Sequence, residues 1–190
     1  KARVKKATQD MAKELIKLYS ERMKATGHAF AEDNELQRDF EAQFEFEETP
    51  DQLRCIDEIK ADMQRVAPMD RLLCGDVGFG KTEVALRAAY LCVLAGKQAA
   101  LMCPGTVLSE QHYKTALSRM DPFGVRVACL NRFRSEREAT RILSDLASGK
   151  IDLIIGTHRL LSADVKFKDL GLLLLDEEQR FGVEHKEKIK

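Results

Sequence analysis

The chain has 190 residues, of which 44% are hydrophobic and 33% are charged. This length suits one globular domain, or one domain with an extension, and leaves little room for two. Its 31 basic and 31 acidic side chains cancel, so the net charge indicates no nucleic-acid partner. No apolar run approaches the roughly 18 residues of a membrane span, and the N-terminus lacks the apolar core of a signal peptide. The composition therefore predicts a soluble, cytoplasmic protein.

The N-terminal part carries opposite charges on adjacent segments. Residues 1–24 contain eight basic side chains against three acidic ones, whereas residues 32–48 contain eight acidic side chains against one arginine. Apolar residues recur at helical spacing within residues 7–24, which predicts an amphipathic helix. Its basic face is either solvated or in contact with DNA phosphates, and the charge pattern leaves both open.

The acidic segment, residues 31–48, is expected to form a short helix followed by an extended stretch. The apolar side chains expected to anchor it are Leu36, Phe40, Phe44 and Phe46. We place a domain boundary after residue 43, so that residues 1–43 form a helical extension and residues 44–190 form the main domain.

The next helix begins at Thr49-Pro50-Asp51-Gln52. Thr49 suits the N-cap and Gln52 the third position of a capping box. The inward face of this helix is predicted to contain Leu53, Ile56, Ile59, Met63 and Val66. Gln52 has a second interpretation, in which its amide reads the edge of an adenine. The spacing does not choose between the two roles, which are compatible.

A glycine-rich turn lies between an apolar run and a helix-forming segment at residues 72–85. The sequence GDVGFGKT at residues 75–82 satisfies G-x-x-x-x-G-K-[ST], the pattern of a loop whose N–H groups surround phosphates. Lys81 would reach the β- and γ-phosphates and Thr82 would bind Mg²⁺, beside the positive end of the helix dipole. A chance match in an ordinary turn is the alternative, which the flanking strand-like and helical patterns disfavour. The predicted ATP-binding residues are Gln52, Gly75, Asp76, Val77, Gly78, Phe79, Gly80, Lys81 and Thr82.

Five apolar runs alternate with helical segments, one of which begins at a second capping-box pattern, Ser135 to Glu138. The runs are residues 72–74, 99–103, 125–130, 151–155 and 172–175. This alternation predicts an α/β fold with a parallel sheet between helices, and places the functional loops at the carboxyl ends of the strands. Three cysteines that end such runs are expected to be buried in the core: Cys74, Cys103 and Cys129.

Two acidic residues follow the last apolar run. Asp176 is predicted to hold Mg²⁺, and Glu177 to polarise the water that attacks the γ-phosphorus. Together with Lys81 they form the predicted catalytic set. An acidic pair after a strand also occurs as a cap of the next turn, but the glycine-rich turn upstream favours an ATP-hydrolysing site.

Further polar residues follow the other runs on the same expected edge of the sheet. They offer hydroxyl, imidazole and guanidinium donors suited to a sugar-phosphate backbone. The predicted DNA contacts are Thr106, Arg132, Arg134, Thr157 and His158. The alternative is that the arginines serve solubility and His158 is an ordinary loop histidine, and the spacing leaves this open.

The order of these elements resembles the motifs of superfamily 2 helicase-like translocases. The matching elements are Gln52, GDVGFGKT at 75–82, PGTVLSEQ at 104–111, GTH at 156–158 and DEEQ at 176–179. Over nearly the whole chain the sequence is similar to the bacterial transcription-repair coupling factors, notably in FGKTE at 79–83 and RFRS at 132–135. The branched-DNA translocase RecG shares the general motif set and is the nearest alternative.

The resemblance implies the first of two RecA-like P-loop domains, which hydrolyse ATP with Mg²⁺ in the cleft between them and step along double-stranded DNA. It also implies stalled RNA polymerase and excision-repair proteins as partners. A non-catalytic nucleotide- or partner-binding module is a further alternative. The chain stops before the second domain, which in this family supplies an arginine finger. We therefore expect this piece to bind ATP weakly and not to translocate.

Two positions depart from the pattern of this family. Gly105 stands where a threonine is usual, which removes a hydroxyl that would contact DNA phosphate. Gln179 stands where a histidine is usual and would have to couple the γ-phosphate to the partner domain. Glutamine donates and accepts hydrogen bonds but cannot carry a proton charge.

Overall fold

The computed structural model describes residues 25–76 and 78–177, together with Ser20. Val77 and Gln179 lie outside the described residues. The predicted N-terminal helix, residues 7–24, also lies outside them, apart from Ser20. The helices are α1 (Glu35–Ala42), α2 (Pro50–Met63), α3 (Lys81–Leu94), α4 (Thr106–Met120) and α5 (Glu136–Ala147). The strands are β1 (Gln98–Met102), β2 (Val127–Leu130), β3 (Leu153–Gly156) and β4 (Leu170–Leu175), and 3-10 turns span Asp121–Phe123 and His158–Leu161.

The four strands form one parallel sheet in the order β2-β3-β1-β4. Alternate residues of β1 enter two separate cores: Ala99 and Leu101 pack with the cluster that includes residues of α2 and α3, and Ala100 and Met102 pack with the cluster that includes Leu146 of α5. Helices therefore cover both faces, as a parallel sheet requires. The predicted α/β fold with a helix-flanked parallel sheet is confirmed.

The apolar run at residues 72–74 is not a strand, which corrects the prediction of five strands. These residues have no regular secondary structure, Leu72 is 73% exposed, and only Leu73 packs against the core. A strand exists only when a neighbour accepts and donates its backbone hydrogen bonds, and no described strand pairs with this segment. Cys74 is consequently exposed rather than buried, whereas Cys103 and Cys129 are buried as predicted.

Both predicted capping boxes are confirmed. The Thr49 side chain accepts from the Gln52 N–H at 3.2 Å, and Gln52 Oε1 accepts from the Thr49 N–H at 2.8 Å. Ser135 and Glu138 make the same reciprocal pair at the start of α5. On α2 the core face contains Ile56, Ile59 and Met63. Leu53 and Val66 are exposed instead, since one lies in the first turn and the other beyond the helix end.

The acidic segment packs against α3 through Phe40. This side chain is fully buried, and its ring lies 4.3 Å from the Tyr90 ring and 5.2 Å from the Phe123 ring. Leu36 and Phe46 were wrongly predicted as anchors, because they are 53% and 71% exposed. The boundary after residue 43 stays a prediction. In the part of the chain that the structure describes, none of the helices has the length and apolar character needed to cross a membrane.

Candidate nucleotide-binding site

The glycine-rich turn leads directly into the first turn of α3. Gly78 and Gly80 have φ angles of 84° and 78°, in the left-handed region that glycine adopts without steric strain. Gly80 is also the N-cap of α3, and it offers no side chain to cap the helix. The first N–H groups of a helix generally lack intrahelical acceptors, although that of Glu83 donates to the Gly80 carbonyl at 3.0 Å, and this end of α3 is therefore suited to an anion.

Lys81 folds back over the turn. Its Nζ donates to the carbonyl oxygens of Gly75 and Asp76 at 2.7 Å and 2.8 Å. The turn is closed further by a hydrogen bond from the Phe79 N–H to the Asp76 carbonyl at 3.1 Å. The ammonium group therefore lies beside the backbone that the sequence pattern assigns to phosphate binding. Thr82 follows it in the first turn of α3 and is half-buried.

Gln52 connects the start of α2 to this turn. Its Nε2 donates to the Phe79 carbonyl while its Oε1 completes the capping box, so one amide serves both segments. A Cβ added at Gly80 would lie 2.5 Å from Gln52 Nε2, which means that the turn fits closely against this side chain. The capping role is thus observed, and the reading of adenine stays a prediction.

Asp176 lies at the carboxyl end of β4, where its N–H donates to the Met102 carbonyl at 2.9 Å. Its Oδ2 lies 2.7 Å from His112 Nε2, on α4. The hydrogen bond from His112 lowers the pKa of Asp176, against the opposing effect of burial, and the positive charge of Lys81 lowers that pKa further. The charge of Lys81 thus favours the ionised form of Asp176, although the two residues are far apart in the sequence.

The sequence did not indicate His112. It lies 64 positions from Asp176, and its ring is largely buried, with a side-chain exposure of 11%. A histidine inside a helical pattern carries no local sign of such a partner. The only available signal was its place on α4, the helix that follows the neighbouring strand β1, since helices that follow parallel strands begin at the edge where functional loops lie.

Glu177 has a φ of 56° and is the only non-glycine residue with positive φ in the described ranges. Glutamate adopts this left-handed conformation rarely, and such outliers concentrate at functional sites. At Glu177, directly after Asp176, the chain turns away from the direction of β4. Its role as the residue that polarises water remains a prediction.

The donor set suits Mg²⁺. The hydroxyl of Thr82 and the carboxylate of Asp176 provide the hard oxygen ligands that this ion prefers, and the hydrogen bond from His112 favours the ionised form of that carboxylate. Among the described residues no cluster of three His, Cys, Asp or Glu side chains could hold a metal ion. Magnesium commonly uses one or two protein ligands, with water and substrate phosphates completing the shell.

The predicted DNA contacts lie beyond the carboxyl ends of β1, β2 and β3, at the edge of the sheet that also carries Asp176. Thr106 begins α4 and is half-buried, whereas Arg132 and His158 are exposed. Thr157 is the N-cap of the 3-10 turn that begins at His158, and it is 7% exposed.

Arg134 and Thr157 make hydrogen bonds within the domain. Arg134 pairs with Glu110 at 2.9 Å and donates from Nε to the Cys129 carbonyl at 3.2 Å. The Thr157 side chain accepts from the Arg159 N–H at 3.5 Å, as a cap. Arg132 is exposed, with its guanidinium 5.7 Å from the centre of the Phe133 ring, and DNA binding by the whole set stays a prediction.

Residues 49–190 match the family model described as DEAD/DEAH box helicase. The chain belongs to the DEAD/DEAH box helicase family. Among curated members similar to it, the transcription-repair-coupling factor of Bacillus subtilis (strain 168) is 56% identical over all 190 residues, and that of Staphylococcus aureus (strain USA300) is 54% identical. The resemblance predicted from the motifs is thus confirmed. This helicase-family chain spans 16% of the length of either relative.

Solved structures agree with this membership. RecG bound to a three-way DNA junction superposes with a TM-score of 0.81 at 40% identity, over 87% of this chain and 23% of that one. A hypothetical ATP-dependent RNA helicase from Sulfolobus tokodaii gives a TM-score of 0.61 at 16% identity, over 83% of this chain and 45% of that one. The second similarity supports the fold alone.

Proposed function

We propose that this helicase-family chain is the N-terminal motor lobe of an ATP-dependent double-stranded DNA translocase. The complete protein would displace stalled RNA polymerase and couple transcription to nucleotide excision repair in the bacterial cytoplasm. One observation carries the proposal of an ATP site: Lys81 Nζ is hydrogen-bonded to the Gly75 and Asp76 carbonyls of the glycine-rich turn, and Asp176 lies at the carboxyl end of β4. The identity to the coupling factors supports the choice of this kind of motor.

Each group of the site has a role in this proposal. Residues 75–82 surround the phosphates with N–H groups, and Lys81 exchanges its two carbonyl partners for phosphate oxygens. Thr82 and Asp176 hold Mg²⁺, which when bound neutralises charge on the phosphates. Glu177 orients and polarises the attacking water. The two observed hydrogen bonds of Gln52 use one amide hydrogen and one lone pair of its oxygen. Its second amide hydrogen and second lone pair bind the edge of the adenine.

The rest of the machinery extends beyond this site. Arg132, Thr106 and His158 are proposed to contact the DNA backbone from the loops after the strands, with smaller contributions from Arg134 and Thr157. Gln179 is proposed to couple the γ-phosphate to a second RecA-like domain, whose arginine completes the catalytic cleft. Such an arginine finger is worth about 10³ to 10⁵ in rate in related sites, so residues 44–190 alone should hydrolyse ATP poorly.

The test uses the full-length protein that contains this chain. DNA-stimulated ATP hydrolysis and displacement of a stalled polymerase should both fall by at least about 100-fold in Lys81→Ala and Glu177→Gln, because Lys81 acts on the phosphates and Glu177 on the attacking water. Lys150→Ala is the matched control, since Lys150 is 69% exposed and precedes β3 at the opposite edge of the sheet. Displacement that survives Lys81→Ala would refute the proposal.

A branched-DNA translocase is the second candidate, favoured by the similarity to RecG at 40% identity. The two candidates differ in substrate. A coupling factor should displace stalled polymerase from linear DNA and gain little ATPase activity from a three-way junction over linear duplex. A RecG-like motor should show the reverse preference, so that one comparison of the two DNA substrates decides between them.

A further inference from the structure

We propose that Glu83 is a positioning residue that couples the acidic strap, residues 37–48, to the nucleotide site. This inference rests on the proposed function, because the nucleotide site is its readout. Glu83 is in the first turn of α3, two residues after Lys81, yet it is only 9% exposed. Its carboxylate is engaged by arginine side chains from two helices.

Two arginines converge on this carboxylate. Arg87, one turn further along α3, donates from Nε to Glu83 Oε1 at 2.9 Å. Arg119, from α4, donates from Nη2 to Oε1 at 2.8 Å and from Nε to Oε2 at 3.1 Å. Arg87 is 3% exposed, so its charge requires a buried partner. Glu83 therefore fixes the first turn of α3 relative to α4.

The same arginines hold the strap. Arg87 Nη2 donates to Glu48 Oε1 at 2.6 Å, and Arg119 Nη2 donates to the Phe40 carbonyl at 2.6 Å. The Arg119 guanidinium also lies 4.1 Å from the centre of the Phe40 ring, a cation–π contact. Each guanidinium thus bridges Glu83 and the strap. The strap and the first turn of α3 are therefore held by the same two arginines.

A further strap contact reaches the backbone of α3. Gln37 is fully buried, and its Nε2 donates to the Arg87 carbonyl at 3.4 Å and to Glu41 Oε1 at 2.7 Å. The strap therefore contacts the backbone of α3 as well as its side chains. A shift in the helix that carries Lys81 must move these contacts or break them.

Coupling follows from this sharing. The first turn of α3 carries Lys81, Thr82 and the amide groups assigned to phosphate binding, and on its buried side Glu83 is held by groups that also hold the strap. Displacing the strap leaves Arg87 without one of its two carboxylate partners and frees the turn to shift. The coupling is reciprocal: if the docked strap raises nucleotide affinity by some factor, bound nucleotide raises the equilibrium constant for strap docking by the same factor.

Glu48→Gln is the test variant, with Glu47→Gln as its matched control. Both remove one negative charge from adjacent strap positions, but Glu48 is half-buried on Arg87 while Glu47 is exposed. In the full-length protein, Glu48→Gln should raise the Kd for fluorescent Mg-ADP by ~5-fold or more, the lower end of typical coupling between sites. Glu47→Gln should leave it unchanged.

Hydrogen exchange provides a readout that does not depend on activity. Mg-ADP should slow amide exchange within residues 37–48 of the wild type and of Glu47→Gln, and should do so less in Glu48→Gln. The effects of Glu48→Gln and Glu83→Gln on Kd should not multiply in the double variant, since both act through Arg87. Should Glu48→Gln fail to fold, Glu48→Asp replaces it, with Glu47→Asp as control.

The outcomes separate the inference from the proposed function. A lowered melting temperature with an unchanged Kd in Glu48→Gln would overturn the coupling and leave only a structural role. Unchanged nucleotide binding in Lys81→Ala would instead overturn the proposed function. Loss of binding in Lys81→Ala, together with equal Kd values for Glu48→Gln and Glu47→Gln, would overturn the coupling alone.

Discussion

Phe40→Ala should strongly destabilise the domain, although Phe40 precedes the predicted domain boundary. Its side chain is fully buried between the rings of Tyr90 and Phe123 and the guanidinium of Arg119. Truncation of a buried phenylalanine costs about 3–5 kcal/mol, the transfer term and the cavity included. Three ring or cation contacts disappear with it, which puts the expected loss near the upper end, at about 4–5 kcal/mol.

Urea unfolding of the chain, followed by circular dichroism, measures this loss, and Phe46→Ala is the control. Phe46 is 71% exposed, so its truncation should change the free energy of unfolding by less than about 0.5 kcal/mol. The expected loss for Phe40→Ala is a large part of the roughly 5–15 kcal/mol typical of a whole domain. If both variants changed the free energy of unfolding by equal, small amounts, the strap would not be part of the core.

Three further predictions concern the turn, a helix cap and pH. Gly80→Ala should abolish nucleotide binding measured by fluorescence titration, because φ is 78° there and the new Cβ would meet Gln52. Ser135→Ala should lower the free energy of urea unfolding by about 1 kcal/mol through loss of the cap. The Arg87 hydrogen bond lowers the pKa of Glu48 below its ordinary value of 4.5. The ionised Glu48 side chain therefore stabilises the fold fully above pH 4.5, and this contribution is lost as the pH falls through the lowered pKa. The stability gap between wild type and Glu48→Gln, measured by urea unfolding, should therefore be present at neutral pH and close as the pH falls below that value.

Local patterns predicted local structure well. The capping boxes at Thr49 and Ser135 depend on residues three positions apart, and both form as the sequence indicates. Gly78 and Gly80 of the glycine-rich turn likewise have positive φ angles, which glycine adopts without steric strain. Information within one turn of chain is sufficient for such features, because their partners are sequence neighbours.

Features that depend on distant partners were predicted less well. The run at residues 72–74 is as apolar as a strand, but strand formation requires pairing that no local pattern reveals. Apolar spacing selected Leu36 and Phe46, whereas Gln37 is buried with its Nε2 donating to Glu41 and to the Arg87 carbonyl, although its Oε1 has no hydrogen-bond partner. A polar residue is buried when its partners are in place, and one of these lies 50 positions away.

The candidate site shows the same division. Its glycine-rich turn and its acidic pair could be predicted from motifs, since each is a contiguous stretch. The His112 contact with Asp176 and the convergence of Arg87 and Arg119 on Glu83 could not, because they join separate helices and strands. These side-chain contacts are also the ones that determine how the site is held.

Calorimetric titration of the full-length protein with Mg-ADP, for wild type and Lys81→Ala, tests the central claim most directly. The claim is that the turn at residues 75–82 binds the phosphates of a nucleotide. Saturable binding at one site per chain is expected for the wild type, with affinity at least about 10-fold weaker in Lys81→Ala, since a charge-assisted contact to phosphate is worth about 1.5–3 kcal/mol. Equal affinity in both proteins would contradict the account.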